Sequence, residues 1–193
     1  MRNFEDKKNY NEEFETDKLI IKPLSEEHNS IIAEYFKNNH EEYENYYLEE
    51  YDDDCLRFIY EHPRTFMFGM FLKDSGEYVG YVSFNMKNSS TAFIAYYVFP
   101  KYRGNGYCVE SLRALCKKAL SRQLVYKDDR KGITTQVIRT IEFDIALVNQ
   151  KSIHIATKLG ARLNKSFKED IPFKNKWLDT VIYILDIQNL IYR

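Results

Sequence analysis

Three consecutive runs of the chain, residues 64–73, 77–86 and 91–99, are mostly apolar and rich in aromatic and β-branched residues. Short runs of this composition between polar segments are typical of β-strands. The two short separators, residues 74–76 and 87–90, carry Asp, Asn, Ser or Gly, which favour turns. The pattern therefore predicts an antiparallel meander of three strands.

Before the meander, the pattern predicts one strand followed by two helices. Residues 17–24 are strand-like, and Ser25 is a candidate N-cap for the first helix. An acidic, Tyr-rich connection over residues 41–54 leads to a short helix over residues 55–62, which stops before a proline. The apolar residues of the first helix recur at helical spacing: Ile31, Ile32, Tyr35 and Phe36.

After the meander, helices and strands alternate. Apolar positions at helical spacing predict a helix over residues 106–122. Asn149 is a good N-cap and Gly160 a good C′ residue, so together they bracket a helix over residues 150–159. β-Branched and aromatic residues predict three further strands, over residues 137–148, 161–167 and 179–188.

This order of elements predicts a mixed α/β (α+β) fold. A strand-to-helix crossover that follows a meander joins a parallel pair of strands, and such crossovers are right-handed. We therefore expect a central, mostly antiparallel mixed sheet with one parallel crossover pair and with helices on both faces. The length of 193 residues fits one domain, residues 17–193, preceded by a charged N-terminal extension over residues 1–16.

Composition narrows the class of protein. Hydrophobic residues make up 44% of the chain and charged residues 30%, a mix typical of globular proteins. No apolar stretch approaches the roughly 20 residues that span a bilayer, and the N-terminus shows no secretory pattern. The three cysteines and four scattered histidines have no ligand spacing. We expect a cytoplasmic protein with no membrane partner, no disulfide and no metal.

Charge argues against a nucleic-acid partner, because a net charge of -1 creates no global field that attracts phosphates. The charges are nevertheless unevenly distributed. Residues 1–62 carry 7 Lys or Arg against 18 Asp or Glu, a net charge of -11, whereas residues 63–193 carry 21 against 11, a net charge of +10. This polarity indicates either two surfaces with different partners or two solvated faces.

The most specific local pattern lies where the third meander strand runs into the next helix. Gly104 and Gly106 let the backbone turn sharply, and free amides at the helix start favour a phosphate or pyrophosphate. Arg103 adds a fork of donors. Val109 occupies the third glycine position of a dinucleotide-binding GxGxxG, and no Walker A sequence is present. The alternative interpretation is a strand-to-helix turn without a ligand.

This loop resembles the signature of the GNAT superfamily of acyl-CoA-dependent N-acyltransferases, Arg/Gln-x-x-Gly-x-Gly/Ala. Arg103 and Gly106 match the signature, while Cys108 stands at its final small position. The resemblance implies the GNAT fold, acetyl-CoA as co-substrate and no metal.

A second block, residues 149–160, resembles the RimJ/RimL branch of that superfamily, which acetylates the N-termini of ribosomal proteins. The pattern of the branch is Asn-x-x-Ser followed by Lys-x-Gly-Phe. Asn149 and Ser152 match it, and Ala161 replaces the Phe. The resemblance covers residues 17–188.

The family pattern implies a binding mode for the cofactor. The backbone of Val98 pairs with the pantetheine arm, and Asn149 and Ser152 also contact the cofactor. The Tyr96 amide faces the thioester carbonyl, where a fixed N–H stabilises the oxyanion that forms when an amine attacks. The residues whose amides hold the pyrophosphate are Arg103, Gly104, Asn105, Gly106, Tyr107 and Cys108.

Acetyl transfer to an amine also needs proton transfer. Ala156 stands where many GNAT enzymes carry an acidic Tyr, so the resemblance implies Ser152 as the group that protonates or stabilises the CoA thiolate. Asp144 precedes Asn149 by five residues, as a catalytic Glu does in some protein-acetylating relatives, and it is the leading candidate base. Glu142, on the same face of the strand, is the second candidate, and bulk water is the third. The alternative is that both carboxylates are solvated charges at the edge of the strand. Asn149 acts as a helix cap, orders a water or contacts the pantetheine.

Two segments are expected to shape the acceptor cleft, since the resemblance places there the connection between the first two helices and the loop between the last two strands. Residues 41–54 interleave carboxylates with Tyr, and residues 168–177 carry Trp177 beside several Lys. Carboxylates attract an amine cation, and aromatic faces stack against it. The expected acceptor is therefore cationic: a polyamine, an aminoglycoside or a basic protein N-terminus.

The sequence thus predicts an acetyl-CoA-dependent N-acetyltransferase that transfers the acetyl group to a primary amine by direct attack in a ternary complex. The alternative is a GNAT-like module that binds an acyl-CoA with weak catalysis and acts as a sensor or partner, which the departures at Cys108, Ala156 and Ala161 favour. The identity of the acceptor, a homodimeric state and the role of residues 121–140 stay open.

Overall fold

The computed structural model describes residues 11–47, 65–128 and 130–190. No helix within these ranges is long and apolar enough to cross a membrane. The strands of the described residues are β1 (Phe14–Glu15), β2 (Leu19–Pro23), β3 (Thr65–Leu72), β4 (Tyr78–Met86), β5 (Thr91–Val98), β6 (Val125–Asp128), β7 (Gly132–Thr135), β8 (Thr140–Ala146), β9 (Arg162–Phe173) and β10 (Lys176–Asp186). The α-helices are α1 (Glu26–Asn38), α2 (His40–Tyr47), α3 (Tyr107–Leu120) and α4 (Gln150–Leu159).

Eight of these strands form one sheet in the order β1-β2-β3-β4-β5-β8-β10-β9. The pair β5 and β8 is parallel, and the other neighbours are antiparallel. Helix α3 lies between β5 and β8 in the chain and supplies the crossover. The predicted meander and the predicted mixed sheet with one parallel crossover pair are both confirmed.

Hydrophobic side chains cover both faces of this sheet. Phe66 and Phe68 of β3 belong to a cluster with the buried side chains of α3 and α4, whereas Met67 belongs to a cluster with those of α1 and α2. Successive side chains of a strand point to opposite faces. The two helix pairs therefore cover opposite faces, as the sequence predicts.

The parallel pair at the centre of the sheet is short. β5 and β8 pair only where Thr91–Phe93 runs beside Thr140–Glu142. Both strands then continue, to Val98 and to Ala146, without pairing to each other. A gap therefore opens between them at the end of the sheet where α3 begins.

Side-chain caps define the helix starts that the sequence predicts. The Ser25 hydroxyl accepts a hydrogen bond from the His28 N–H at 3.3 Å, and the Asn149 side chain accepts one from the Ser152 N–H at 3.1 Å. Gly160 ends α4 in the left-handed conformation, at φ 92°. These short contacts explain why capping residues locate α1 and α4 so well.

Three predicted boundaries in the second half of the chain are wrong. The strand expected over residues 137–148 spans only Thr140–Ala146. The last two strands are longer than expected and form one hairpin, with a turn at Lys174 and Asn175 in place of the loop predicted over residues 168–177. β9 is an exposed edge strand, so its polar residues need no apolar alternation and give no strand signal.

The acidic segment after α1 is also more regular than predicted. Its first residues form α2 instead of a loop connection, because Tyr43 is buried and packs edge-on against Phe36 with ring centroids 5.0 Å apart. The rest of the segment to residue 54, and the helix predicted over residues 55–62, lie outside the described residues.

Residues 121–140, whose role the sequence leaves open, contain the two-stranded hairpin β6–β7. The Asn11 side chain binds the backbone N–H and C=O of Val125, each at 3.0 Å. Phe14–Glu15 pairs with β2 at the edge of the main sheet. The final residues of the predicted N-terminal extension therefore pack against the fold and hold this hairpin.

Gly80 provides a test of the close approach between β4 and β5. A Cβ at this position would lie 2.0 Å from the Tyr97 carbonyl oxygen, and the φ angle is +146°. Gly80→Ala is expected to lower the free energy of unfolding by about 3 kcal/mol, because both the contact and the backbone angle are unfavourable. Gly132→Ala, at φ +71° with open space around the Cβ, is the control and should lose about 1 kcal/mol. Equal losses in denaturant unfolding would contradict this reading of β4 and β5.

Candidate active site

The phosphate loop, residues 103–108, has the backbone geometry of an anion site. Gly104 and Gly106 lie at φ 83° and 81°, which an L side chain rarely adopts. Gly106 caps α3 without a side-chain hydrogen bond. The first amides of a helix have no acceptor within the helix, so those of α3 are available to a ligand, and the helix dipole favours an anion there.

Asn105 stabilises the loop from inside its turn. Its side-chain amide donates to the carbonyls of Tyr102 and Arg103 at 3.0 and 3.3 Å. The preceding short helical turn begins at Pro100. The Asn105 side chain therefore stabilises the turn. The pyrophosphate contact that the resemblance implies is expected from its backbone amide instead.

A cleft of about 510 Å³, the donor cleft, lies between the phosphate loop, the end of β5 and α4. Its lining contains most of the predicted cofactor residues. It also contains a row of residues along one face of α4 that the sequence analysis did not predict. Their spacing at i, i+3, i+4 and i+7, which is typical of one helix face, is the signal that could have found them. The predicted residues in the lining are Val98, Arg103, Gly104, Gly106, Tyr107, Cys108 and Ser152, together with the predicted catalytic residue Tyr96. The row from α4 consists of Lys151, His154, Ile155 and Lys158.

Alternate residues of β5 direct their backbone groups into the gap beside β8. The Phe99 N–H donates to the Val79 carbonyl at 3.0 Å, so the odd-numbered residues at this end of β5 bond to β4. In an antiparallel ladder the residues between them direct their N–H and C=O groups to the other side. Tyr96 and Val98 therefore present their amides to the gap, where the resemblance expects the thioester and the pantetheine arm.

A second cavity of about 300 Å³, the acceptor cavity, is lined by residues of both strands that border this gap, β5 and β8. Tyr96 and Ser152 line both the acceptor cavity and the donor cleft. Asp144 and Asn149 line the acceptor cavity, together with Thr180 of β10. All four predicted catalytic residues therefore line the acceptor cavity, and two of them, Tyr96 and Ser152, lie at its junction with the donor cleft.

The two candidate bases have different environments. Glu142 is buried and forms an ion pair with Lys87, with Oε1 and Nζ 2.8 Å apart. Asp144 faces the acceptor cavity and stays accessible to solvent. Burial, followed by the carboxylates of Asp170 and Glu142, raises the pKa of Asp144, while Lys87 opposes the shift. Of the two candidate bases, Asp144 is therefore the one that lines the acceptor cavity, whereas Glu142 is engaged by Lys87; the role of Asp144 as base stays a prediction.

The two positions of α4 considered for the acid, Ser152 and Ala156, lie in different environments. Ala156 is fully buried in the hydrophobic core and lines neither space. Ser152 is half-buried in the first turn of α4, where Asn149 fixes its backbone N–H. Asn149 therefore caps α4, and it also lines the acceptor cavity.

Cys108 is the departure from the signature that lies within the phosphate loop. Its side chain is buried, and burial raises the pKa of the thiol well above its ordinary value. A thiol in such surroundings is a weak nucleophile. Cys108 therefore acts as a small packing residue at the start of α3, joined to the hydrophobic core.

Two described carboxylates of the acidic segment bind cations of the chain itself. Glu42 forms an ion pair with Arg103 of the phosphate loop, and Glu44 forms one with Lys174 at the β9–β10 turn. Trp177, next to that turn, is 61% exposed. The ion pair of Glu44 connects the two segments that were expected to flank the acceptor cleft.

Glu110 has a bracing contact at the other side of the fold. Its carboxylate accepts a hydrogen bond from the Lys18 N–H at 2.9 Å and so ties the first turn of α3 to the turn before β2.

Among the described residues, no group of three or more His, Cys, Asp or Glu side chains is arranged to hold a metal ion.

Solved structures share the fold. A GNAT-family acetyltransferase from Bacillus anthracis has a TM-score of 0.70 and 20% identity, over 91% of this chain and 99% of that one. An acetyltransferase from Salmonella typhimurium that modifies the N-terminal serine of ribosomal protein L7/L12 has a TM-score of 0.71 and 18% identity, over 89% and 96%. Spermidine N-acetyltransferase from Vibrio cholerae, in complex with CoA and spermine, has a TM-score of 0.70 and 15% identity, over 90% and 98%.

Sequence comparison adds the family. No curated protein matches the chain by sequence. A family model described as the acetyltransferase (GNAT) domain matches residues 18–162, a range that contains the phosphate loop, β8 and α4. The chain therefore belongs to the GNAT family of acetyltransferases, whose co-substrate is acetyl-CoA.

Proposed function

We propose that this enzyme transfers the acetyl group of acetyl-CoA directly to a cationic primary amine in a ternary complex. The observation that carries the proposal is the junction at Tyr96 and Ser152, which line both the donor cleft and the acceptor cavity. An amine in one space can reach a thioester in the other through the gap between β5 and β8. The acetyl group can therefore pass directly from the thioester to the amine, without a covalent acetyl-enzyme.

The donor side supplies binding and polarisation. The amides at the start of α3 hold the pyrophosphate, without the Arg103 N–H, which donates to the Pro100 carbonyl at 3.2 Å. The Val98 N–H pairs with the pantetheine arm, since the Val98 carbonyl accepts from Nε of Arg103. The Tyr96 N–H then lies at the thioester carbonyl, where it stabilises the negative charge that develops on oxygen. The orientation of alternate amides in β5 supports both roles.

The acceptor side supplies the proton transfers. An amine attacks only in its neutral form, so Asp144 accepts the ammonium proton, directly or through water. The attack gives a tetrahedral intermediate, which loses a second proton from its nitrogen as it collapses to the amide and expels the CoA thiolate. Ser152 stabilises that sulfur or relays the second proton to it, since Ser152 borders the junction. Glu142 is engaged with Lys87 and is the weaker candidate base.

The preference for a cation rests on carboxylates near the acceptor cavity. Asp144 lines the cavity, and Asp170 lies near enough to raise its pKa. The described carboxylates Glu42 and Glu44 form ion pairs with Arg103 and Lys174, so they contribute less to the attraction of a cationic acceptor. The structural neighbours from Salmonella typhimurium and Vibrio cholerae act on a protein N-terminus and on spermidine, which makes both amine classes the first to test.

The competing function is an acyl-CoA sensor with weak catalysis. The departures at Cys108, Ala156 and Ala161 favour it, although all three residues pack in the hydrophobic core and none lines the acceptor cavity. A thiol-release assay with acetyl-CoA decides between the two, using polyamines, aminoglycosides and peptides with different first residues. Acceptor-dependent CoA release supports the transferase, whereas tight CoA binding with no release for any amine supports the sensor.

Gly106 tests the cofactor site. Gly106→Glu places a negative side chain at the start of α3, against the expected pyrophosphate, and should abolish CoA binding in calorimetry. Gly76→Glu is the matched control, because Gly76 also lies at positive φ (+72°) with open space around it, in the β3–β4 turn. Unchanged CoA affinity in a folded Gly106→Glu variant would refute the site.

Asp144 tests the base. Asp144→Asn should lower kcat by about a hundredfold, the usual scale of general-base catalysis, and leave CoA binding intact. Because the pKa of Asp144 is raised, kcat of the parent enzyme should fall on the acid side at a pH above the ordinary range of Asp, and this limb should vanish in the variant.

Asp170→Asn provides the companion measurement. It removes a neighbouring negative charge, so the pKa of Asp144 falls and the acid limb of kcat should shift to lower pH. Parent-like kcat in Asp144→Asn from pH 6 to pH 9 would instead direct the assignment to Glu142 or to bulk water.

A further inference from the structure

The Arg103 side chain has partners away from the pyrophosphate amides. Its Nε donates to the Val98 carbonyl at 2.8 Å, and its guanidinium carbon lies 5.4 Å from the centre of the Tyr97 ring. A terminal nitrogen of the same group donates to Oε1 of Glu42. Arg103 therefore links the start of the phosphate loop to the end of β5 and to α2.

Glu42 is held on both of its oxygens. Oε1 accepts from Arg103, and Oε2 accepts from the Tyr35 hydroxyl of α1 at 2.7 Å. Burial acts to raise the pKa of Glu42, but the hydrogen bonds from Tyr35 and Arg103 prevail and hold it below its ordinary value. The carboxylate is thus ionised and fixed in place at neutral pH.

The environment of this pair makes it stronger than an ordinary surface ion pair. The side chains of Arg103 and Glu42 are 26% and 20% exposed. Exposed pairs contribute little because water and salt screen them, whereas partly buried, multiply hydrogen-bonded pairs are screened less. The pair also joins positions 61 residues apart in the sequence, so it constrains two elements that the local chain does not connect.

The pair lies at the border of the donor cleft. Arg103 and Lys151 line both that cleft and a polar cavity of about 650 Å³ beside α2, which Glu42 also lines. A shift of the guanidinium would move the Val98 carbonyl and the first residue of the phosphate loop together. Val98 is the residue whose N–H pairs with the pantetheine arm in the proposed binding mode, and Arg103 directly precedes the amides proposed to hold the pyrophosphate.

We propose that Glu42 is a positioning residue for acetyl-CoA, which holds the phosphate loop and the end of β5 through Arg103. The inference rests on the proposed function in one respect, the binding of CoA at this loop. It adds a residue from α2, outside the GNAT signature, to the determinants of cofactor affinity. It also makes the geometry of the donor cleft depend on a helix of the opposite face of the sheet.

A double-mutant cycle on CoA affinity tests the proposal. The proteins are the parent, Glu42→Gln, Arg103→Gln and the double variant, measured by calorimetry with CoA. Glu42→Gln should raise the Kd by about tenfold, the scale of one lost hydrogen bond to a charged group that is partly exposed. The double variant should bind no more weakly than Arg103→Gln alone, because Glu42 acts through Arg103.

Kinetics separate positioning from a general loss of structure. In Glu42→Gln the KM for acetyl-CoA should rise by about tenfold, as the Kd does, while kcat at saturating acetyl-CoA changes by less than about twofold. Glu34→Gln is the matched control, since it removes one negative charge from an exposed position on α1 and should keep the parent Kd. If Glu42→Gln does not fold, Tyr35→Phe removes one hydrogen bond from Glu42 and should raise the Kd by about threefold.

The outcomes distinguish this inference from the proposed function. A parent protein that does not bind CoA, or a folded Gly106→Glu variant that binds it normally, overturns the cofactor site itself. If the site stands, a parent-like Kd in Glu42→Gln overturns the positioning role of Glu42. Additive losses of affinity in the double variant overturn it as well, because they would mean that Glu42 and Arg103 act independently.

Discussion

The short parallel pairing of β5 and β8 is the constraint on which the site depends. Three residues of each strand pair, and beyond them the strands separate while their other edges stay bonded to β4 and β10. A sheet normally pairs the backbone groups of its central strands with neighbouring strands, so a gap in its middle directs backbone groups into the space between two strands. Tyr96 and Val98 occupy that part of β5, where the Val98 carbonyl accepts from Nε of Arg103 and the Val98 N–H faces the gap. An extended, amide-containing arm such as pantetheine suits these groups.

The rest of the fold holds this gap open and surrounds it. α3 starts at the open end and directs its first amides toward the donor cleft, while α4 forms the facing wall and brings Ser152 to the junction. On the opposite face, α2 is tied to the phosphate loop by Glu42 and to the β9–β10 turn by Glu44. Part of the charge asymmetry between the two parts of the sequence is thus neutralised within the molecule.

Sequence reasoning succeeds where the signal is local. Ser25, Asn149 and Gly160 locate helix ends because capping involves residues within one turn, and Gly104 and Gly106 mark the phosphate loop because few other residues adopt its angles. It fails where partners are distant: the extent of β9 depends on its pairing with β10, and the ion pairs of Glu42 and Glu44 join different elements. Nothing in the sequence around Arg103 indicates that its side chain turns toward α2.

The most direct test of the central claim is a crystal structure with a bisubstrate analogue, in which the CoA sulfur is joined through an acetyl linker to spermine. The account predicts the pyrophosphate at the amides of the phosphate loop and the linker carbonyl about 3 Å from the Tyr96 N–H. The amine end should pass through the gap to Asp144 in the acceptor cavity. An analogue bound with its linker outside the gap between β5 and β8 would contradict the account.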